Sequence, residues 1–147
     1  MDEARAWLLV REFRKPTRFT RPGADATLAL QALEAGRMGA KQAAAAVRAD
    51  LLDTYQARLR SALDTVVAAG DQGFDISRAG AAALAHGYFA MLAPAYEKQR
   101  SASEAAAAAD AFGSLVTGAG DGDDGAVDPA LGEIEAVLEG FRAAPLS

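Results

Sequence analysis

Residues 40–69 read AKQAAAAVRADLLDTYQARLRSALDTVVAA, and this stretch decides the fold. Apolar side chains recur in it at every third or fourth position: Val47, Leu51, Tyr55, Leu59, Leu63 and Val66. That spacing places them on one face of a helix roughly 45 Å long, at 1.5 Å per residue. We therefore predict a long helix over about residues 40–69, which Gly70 ends.

The next long segment, from Ala79 to Tyr96, carries no full charge. Its length approaches the roughly 18–20 residues that span a membrane. It is mostly Ala and Gly and contains Pro94, so we predict instead a central, kinked apolar helix over about residues 78–99. Small residues lie one turn apart along one side of it: Ala79, Ala83, Gly87 and Ala90. This side is expected to pack closely against another helix, within the protein or across a subunit interface.

The remaining helices are predicted from their end signals. Asp25 is a good N-cap for a helix that stops near Gly36, and Ser101 to Glu104 has the spacing of a capping box. Whether residues 77–117 form one kinked helix or two stays open. The same reasoning predicts a helix over 2–14, a basic, Pro-containing loop over 15–24, a Gly/Asp-rich linker over 118–127 and an amphipathic helix over 128–142.

Composition indicates an all-α protein. Roughly a quarter of the residues are Ala, the best helix former, whereas the β-branched residues typical of strands are few. A length of 147 residues is the usual size of one domain. We predict a single-domain helical bundle of five or six helices.

The formal net charge of −5 hides an asymmetry. Residues 1–60 carry 11 Lys or Arg and 7 Asp or Glu, whereas residues 61–147 carry 4 and 13. A basic patch comprises Arg11, Arg14, Lys15, Arg18 and Arg21, and an acidic pole comprises Asp121, Asp123, Asp124 and Asp128. The two could face each other weakly within one molecule, meet head-to-tail between molecules, or, for the basic patch, contact nucleic acid phosphates.

Few residues offer catalytic or metal chemistry. The chain has no Cys and one His, His86, so a three-ligand zinc site or a Cys–His nucleophile is out of reach. Asp50 and Asp53 share a helix face but lack the Glu-x-x-His partners of a di-iron bundle, and we expect them to face solvent. We predict no enzyme activity, no metal and no cofactor.

These observations favour a non-enzymatic protein–protein interaction or assembly component, an adaptor or structural subunit that could self-assemble head-to-tail. The alternative is a small-molecule or cofactor-binding bundle, and the third is a nucleic-acid-associated protein using the basic loop. The expected partner is another protein or a second copy, in a homo-oligomer. The acidic start Met1-Asp2-Glu3, with no apolar stretch and cleavage site after it, predicts a cytoplasmic location.

Overall fold

The computed structural model describes residues 25–144, which contain five α-helices and no strand. The prediction of an all-α helical bundle is confirmed. The helices are α1 (Ala26–Glu34), α2 (Ala40–Asp71), α3 (Asp75–Gln99), α4 (Ala102–Asp121) and α5 (Asp124–Leu138). The helix predicted over 2–14 and the basic loop predicted over 15–24 lie outside the described residues.

Side-chain caps fix two helix starts where the sequence places them. The Asp25 carboxylate accepts a hydrogen bond from the Leu28 N–H at 3.0 Å and caps α1. Ser101 Oγ accepts from the Glu104 N–H at 3.1 Å and donates to Glu104 Oε2 at 2.7 Å. This capping box starts α4, so residues 77–117 form two helices. Helix α3 begins at Asp75, three residues before the predicted start at about residue 78.

The predicted linker over 118–127 is wrong in its bounds, and so is the predicted start of the last helix at 128. Helix α4 continues to Asp121 and α5 begins at Asp124, which leaves only residues 122–123 between them. The turn is this short because Gly122 adopts a left-handed conformation, with φ of 68°, that side chains disfavour. Pro129 consequently lies inside α5.

The chain divides into two compact units. The first comprises Met1–Ala57 with Arg142–Ser147, and the second comprises Arg58–Phe141. Helix α2 begins in the first unit and ends in the second. The single domain predicted from chain length stays a prediction.

In the part of the first unit that the structure describes, the buried side chains are small or polar. Among residues 25–57 and 142–144, the buried apolar side chains are alanines: Ala26, Ala29, Ala43, Ala57, Ala143 and Ala144. On α2 the same interior also contains four polar residues: Asp50, Asp53, Thr54 and Gln56. The expectation that Asp50 and Asp53 face solvent is wrong, since they are 0% and 5% exposed.

The core of the second unit is aromatic and aliphatic, with α4 packed against both α3 and α5. Phe89 of α3 stacks on Phe112 of α4 with ring centroids 4.6 Å apart. Tyr96 meets Phe89 and Phe141 edge-on, with centroids 5.7 Å and 5.1 Å away. The same core also contains Leu59, Val66, Leu92, Leu115, Val127 and Ile134.

Helix α3 buries only one of its two apolar sides. The buried side includes Phe89, Leu92 and Tyr96, whereas Leu84 and Met91 on the other side are 57% and 54% exposed. Both sets recur at helical spacing, so periodicity alone does not separate them. Among the helices of residues 25–144, none has the length and apolar character needed to cross a membrane.

Candidate functional site

The buried polar residues of α2 in the first unit hold backbone groups in place. Asp50 Oδ2 accepts a hydrogen bond from the Ala26 N–H, at the first residue of α1, over 2.9 Å. Gln56 Oε1 accepts from the Ala143 N–H over 2.8 Å, and Thr54 Oγ1 donates to the Asp50 carbonyl over 2.8 Å. Backbone donors buried without an acceptor are costly, so these side chains have a structural role.

A groove of about 840 Å³ on the second unit is lined by side chains that carry carboxylate, hydroxyl and imidazole groups. Helix α4 supplies Asp110, Ser114, Thr117 and Asp121, which recur at spacings of four, three and four and therefore share one helix face. His86 joins them from α3, and Asp123 from the turn before α5. We call this the acidic groove.

The acidic groove offers oxygen and imidazole ligands and carries negative charge. No Lys or Arg is among the described residues that line it. A cleft lined by charges of one sign concentrates ions of the opposite sign. Carboxylate, hydroxyl and imidazole groups are also ligands for hard and borderline metal cations. The groove is therefore suited to attracting cations.

The carboxylates that α4 supplies to the acidic groove are distributed along the length of that helix. Asp110 and Asp121 are 11 residues apart on α4, which corresponds to roughly 16 Å along the helix axis. Within residues 25–144, no group of three or more His, Asp or Glu side chains is close enough to hold a metal ion.

A second groove, of about 680 Å³, lies between the C-terminal part of α2 and α5. Leu63, Val67 and Leu131 contribute apolar surface to it, and Arg60 and Glu135 contribute charges of opposite sign. This mixed lining lacks the single sign of charge that distinguishes the acidic groove.

An ion pair that the sequence did not predict joins the starts of α3 and α5. Arg78 Nη1 donates to Asp124 Oδ1. The Arg78 side chain is 9% exposed, whereas that of Asp124 is 78% exposed. The guanidinium lies over Gly70, where an added Cβ would be 3.2 Å from its Cζ and Nε atoms. In the sequence, only the spacing of eight residues between Gly70 and Arg78 could have indicated this contact.

The predicted acidic pole is distributed over three environments. Asp121 and Asp123 line the acidic groove, Asp124 pairs with Arg78, and Asp128 is exposed outside the groove. The predicted basic patch, Arg11, Arg14, Lys15, Arg18 and Arg21, lies outside the described residues.

The small-residue side of α3 is at the surface. Ala79 is half-buried, and Ala83, Gly87 and Ala90 are exposed. A Cβ built on Gly87 meets no atom within 4 Å, so no helix of the described region packs closely there. The prediction of close helix packing at these residues stays a prediction.

Comparison with known proteins gives one family. A family model described as the iron permease FTR1 N-terminal domain matches residues 1–137. No curated protein and no solved structure matches the chain.

Proposed function

The chain belongs to the iron permease FTR1 N-terminal domain family, and from this premise we propose that it takes part in the transport of iron. The observation that carries the proposal is the match itself, which extends over residues 1–137 of 147. Iron is the transported substrate here.

Family membership corrects three predictions from the sequence. An interaction, adaptor or head-to-tail assembly protein is the wrong function, because the family is one of permeases. The alternatives of a ligand-binding bundle and a nucleic-acid-associated protein are overturned by the same match. The cytoplasmic location is also wrong, since a permease acts at a membrane. The prediction of no enzyme activity stays a prediction.

The acidic groove supports a role with iron cations. Asp110, Asp121 and Asp123 supply carboxylates, and His86 supplies an imidazole. These are the groups that bind iron in proteins that lack cysteine ligands. Because a transport protein must release its cargo, dispersed ligands that attract iron without enclosing it suit this role.

Uptake of radioactive iron by cells of the native source tests the proposal. Deleting the gene should lower iron uptake severalfold and leave uptake of a second metal, such as manganese, unchanged. The intact gene on a plasmid should restore iron uptake. Unchanged iron uptake in the deletion strain would refute a role in iron transport.

A matched pair of variants tests the acidic groove separately. Asp110→Asn with Asp121→Asn removes two exposed carboxylates from the groove. Asp128→Asn with Glu133→Gln removes two exposed carboxylates outside it and changes the net charge equally. We expect the first pair to lower iron uptake severalfold and the second to leave it unchanged. Equal effects would exclude the groove while leaving the transport role intact.

A further inference from the structure

The groove between the C-terminal part of α2 and α5 lies within the second unit and is formed by one side of each helix. Its residues on α2 are Arg60, Leu63, Asp64 and Val67, and those on α5 lie between Leu131 and Glu139. The spacings of three and four on α2 place these four residues on one side of that helix. The groove measures about 680 Å³ and is open to solvent, so a partner can enter it from outside.

Apolar side chains in this groove keep accessible surface on both helices. Val67 of α2 is 48% exposed, and Leu63, Leu131 and Leu138 are half-buried. Leu131 and Leu138 are seven residues apart on α5, which corresponds to roughly 10 Å along the helix axis. An apolar groove two turns long between two helices is the kind of surface that receives the apolar side of a third helix.

Carboxylates flank the apolar residues on both helices. Asp64 lies on α2, and Glu135 and Glu139 lie one turn apart on α5. All three are exposed. Among the described residues that line the groove, Arg60 is the only basic one, so carboxylates predominate three to one. Complementary charge therefore favours a partner that brings Lys or Arg side chains, and it disfavours an acidic partner.

Small residues on α5 leave room for the backbone of a docked helix. Gly132 and Ala136 are one turn apart, and both are exposed. A Cβ built on Gly132 meets no atom of the described residues within 4 Å. A helix can therefore approach this side of α5 closely. A small molecule in so open a groove would stay largely in contact with water, whereas binding pockets for such ligands enclose most of the ligand.

We propose that this groove docks a positively charged amphipathic helix of a partner protein. The apolar side chains of the partner, spaced by three or four residues, pack against Leu63, Val67 and Leu131. Its Lys and Arg side chains flank that apolar side and pair with Asp64, Glu135 and Glu139. One helix in one groove buries an area at the lower end for specific interfaces, so we expect a dissociation constant of roughly 1–100 µM. The docking does not depend on the role in iron transport.

Binding of two matched synthetic peptides to the full chain tests the chemistry of the partner. The first is a fluorescent amphipathic peptide of Leu, Ala and Lys, about 18 residues or five helical turns long, with leucines at spacings of three and four. The second has Glu in place of every Lys. Fluorescence anisotropy should show that the Lys peptide binds at least about tenfold more tightly, and that its affinity falls as salt is raised. Equal affinities, or no binding of the Lys peptide, would overturn the proposal.

Charge variants of the chain separate the groove from the net charge of −5. Glu135→Lys with Glu139→Lys should weaken binding of the Lys peptide about tenfold, because both carboxylates flank the groove. Asp128→Lys with Glu133→Lys changes the net charge equally at two exposed positions that do not line the groove. This control pair should weaken binding less than about threefold, since distant surface charges are screened. Equal weakening by the two pairs would show that the peptide senses net charge alone.

A second pair of variants fills the groove without changing any charge. Gly132→Leu places a side chain where the docked helix approaches, and it should weaken binding of the Lys peptide severalfold. Gly80→Leu is the matched control, because Gly80 is also exposed, helical and open around its Cβ position but lies on α3. It should bind the peptide like the wild type. Unchanged binding by Gly132→Leu would contradict docking in this groove.

Amide chemical shifts measured by NMR locate the bound Lys peptide. The largest changes should fall on residues 60–67 and 131–139. Largest changes around Asp110 and Asp121 would place the peptide in the acidic groove and overturn the proposal. Sedimentation velocity of the chain without peptide tests a second copy as the occupant. A dimer that Gly132→Leu disrupts would show that a second copy covers the groove, and this result would also overturn the proposal.

Discussion

Gly118 of α4 lies so close to Val127 of α5 that a Cβ built on the glycine would be 3.2 Å from the valine Cγ2 and 3.3 Å from its backbone nitrogen. The Ala126 Cβ would be only 3.0 Å away. The two helices, joined by a two-residue turn, are therefore in contact at a point where any side chain on Gly118 is too large.

Replacing Gly118 with Ala should destabilise the second unit. Overpacking a close helix contact of this kind lowers the free energy of unfolding by about 1–3 kcal/mol. Gly113→Ala, in the middle of the same helix with open space around it, is the matched control. It should raise the free energy of unfolding by about 0.5–1 kcal/mol, because Ala is the better helix former. Urea denaturation measures both, and equal effects would contradict the close contact.

Two side chains, Asp50 and Asp25, accept hydrogen bonds from backbone N–H groups at the start of α1, and replacing either one should destabilise this helix. Asp50→Ala removes the acceptor of the buried Ala26 N–H, which should lower stability by about 1–3 kcal/mol. Asp25→Ala removes the exposed cap at Leu28, with an expected loss of about 1 kcal/mol. Hydrogen exchange should show faster exchange of the α1 amides in both variants. Unchanged exchange in Asp50→Ala would contradict its capping role.

The ion pair of Arg78 with Asp124 should contribute less to the free energy of unfolding than the burial of the Arg78 side chain does. Arg78→Ala removes a buried aliphatic stem and should lower stability by about 1–3 kcal/mol. Asp124→Ala removes only an exposed partner and should cost less than about 1 kcal/mol. A double-mutant cycle measured by denaturation gives the coupling energy. A coupling energy larger than the loss of stability caused by Arg78→Ala alone would contradict this expectation, because the ion pair would then outweigh the packing of the Arg78 side chain.

The stacked rings of Phe89 and Phe112 should form the most sensitive point of the second core. Phe89 is 1% exposed, and Phe89→Ala should lower the free energy of unfolding by about 3–5 kcal/mol. Val67→Ala, at a position 48% exposed, should change it by less than about 1 kcal/mol. Thermal unfolding followed by circular dichroism compares the two. Similar melting temperatures for both variants would be inconsistent with the described core.

Local signals in the sequence predicted most of the helices. The stripe from Val47 to Val66 indicated α2, and the capping box at Ser101 indicated the start of α4. Short-range rules capture these features because their determinants lie within a few residues. The end of α4 was missed, since Gly118 and Gly120 resemble a linker until the packing of Gly118 against α5 is known.

The sequence did not predict which side chains are buried or which of them line the acidic groove. Asp50 and Asp53 were expected in solvent because carboxylates are seldom buried, and only the position of α1 explains Asp50. Leu84 and Phe89 are equally apolar, so burial had to come from tertiary packing. His86 and Asp110 are 24 residues apart and meet only when α3 packs on α4. Membership of the iron permease family follows from no single motif in the sequence, because the match extends over residues 1–137 as a whole.

The boundary between the two compact units falls within α2, after Ala57, and not in a loop. A fragment that stopped there would expose four backbone carbonyls that now accept hydrogen bonds from the next turn, and its complement would expose four N–H donors. Proteases cut flexible loops far more readily than the middle of a regular helix. Limited proteolysis should therefore cut the loops between the helices before it cuts α2 after Ala57.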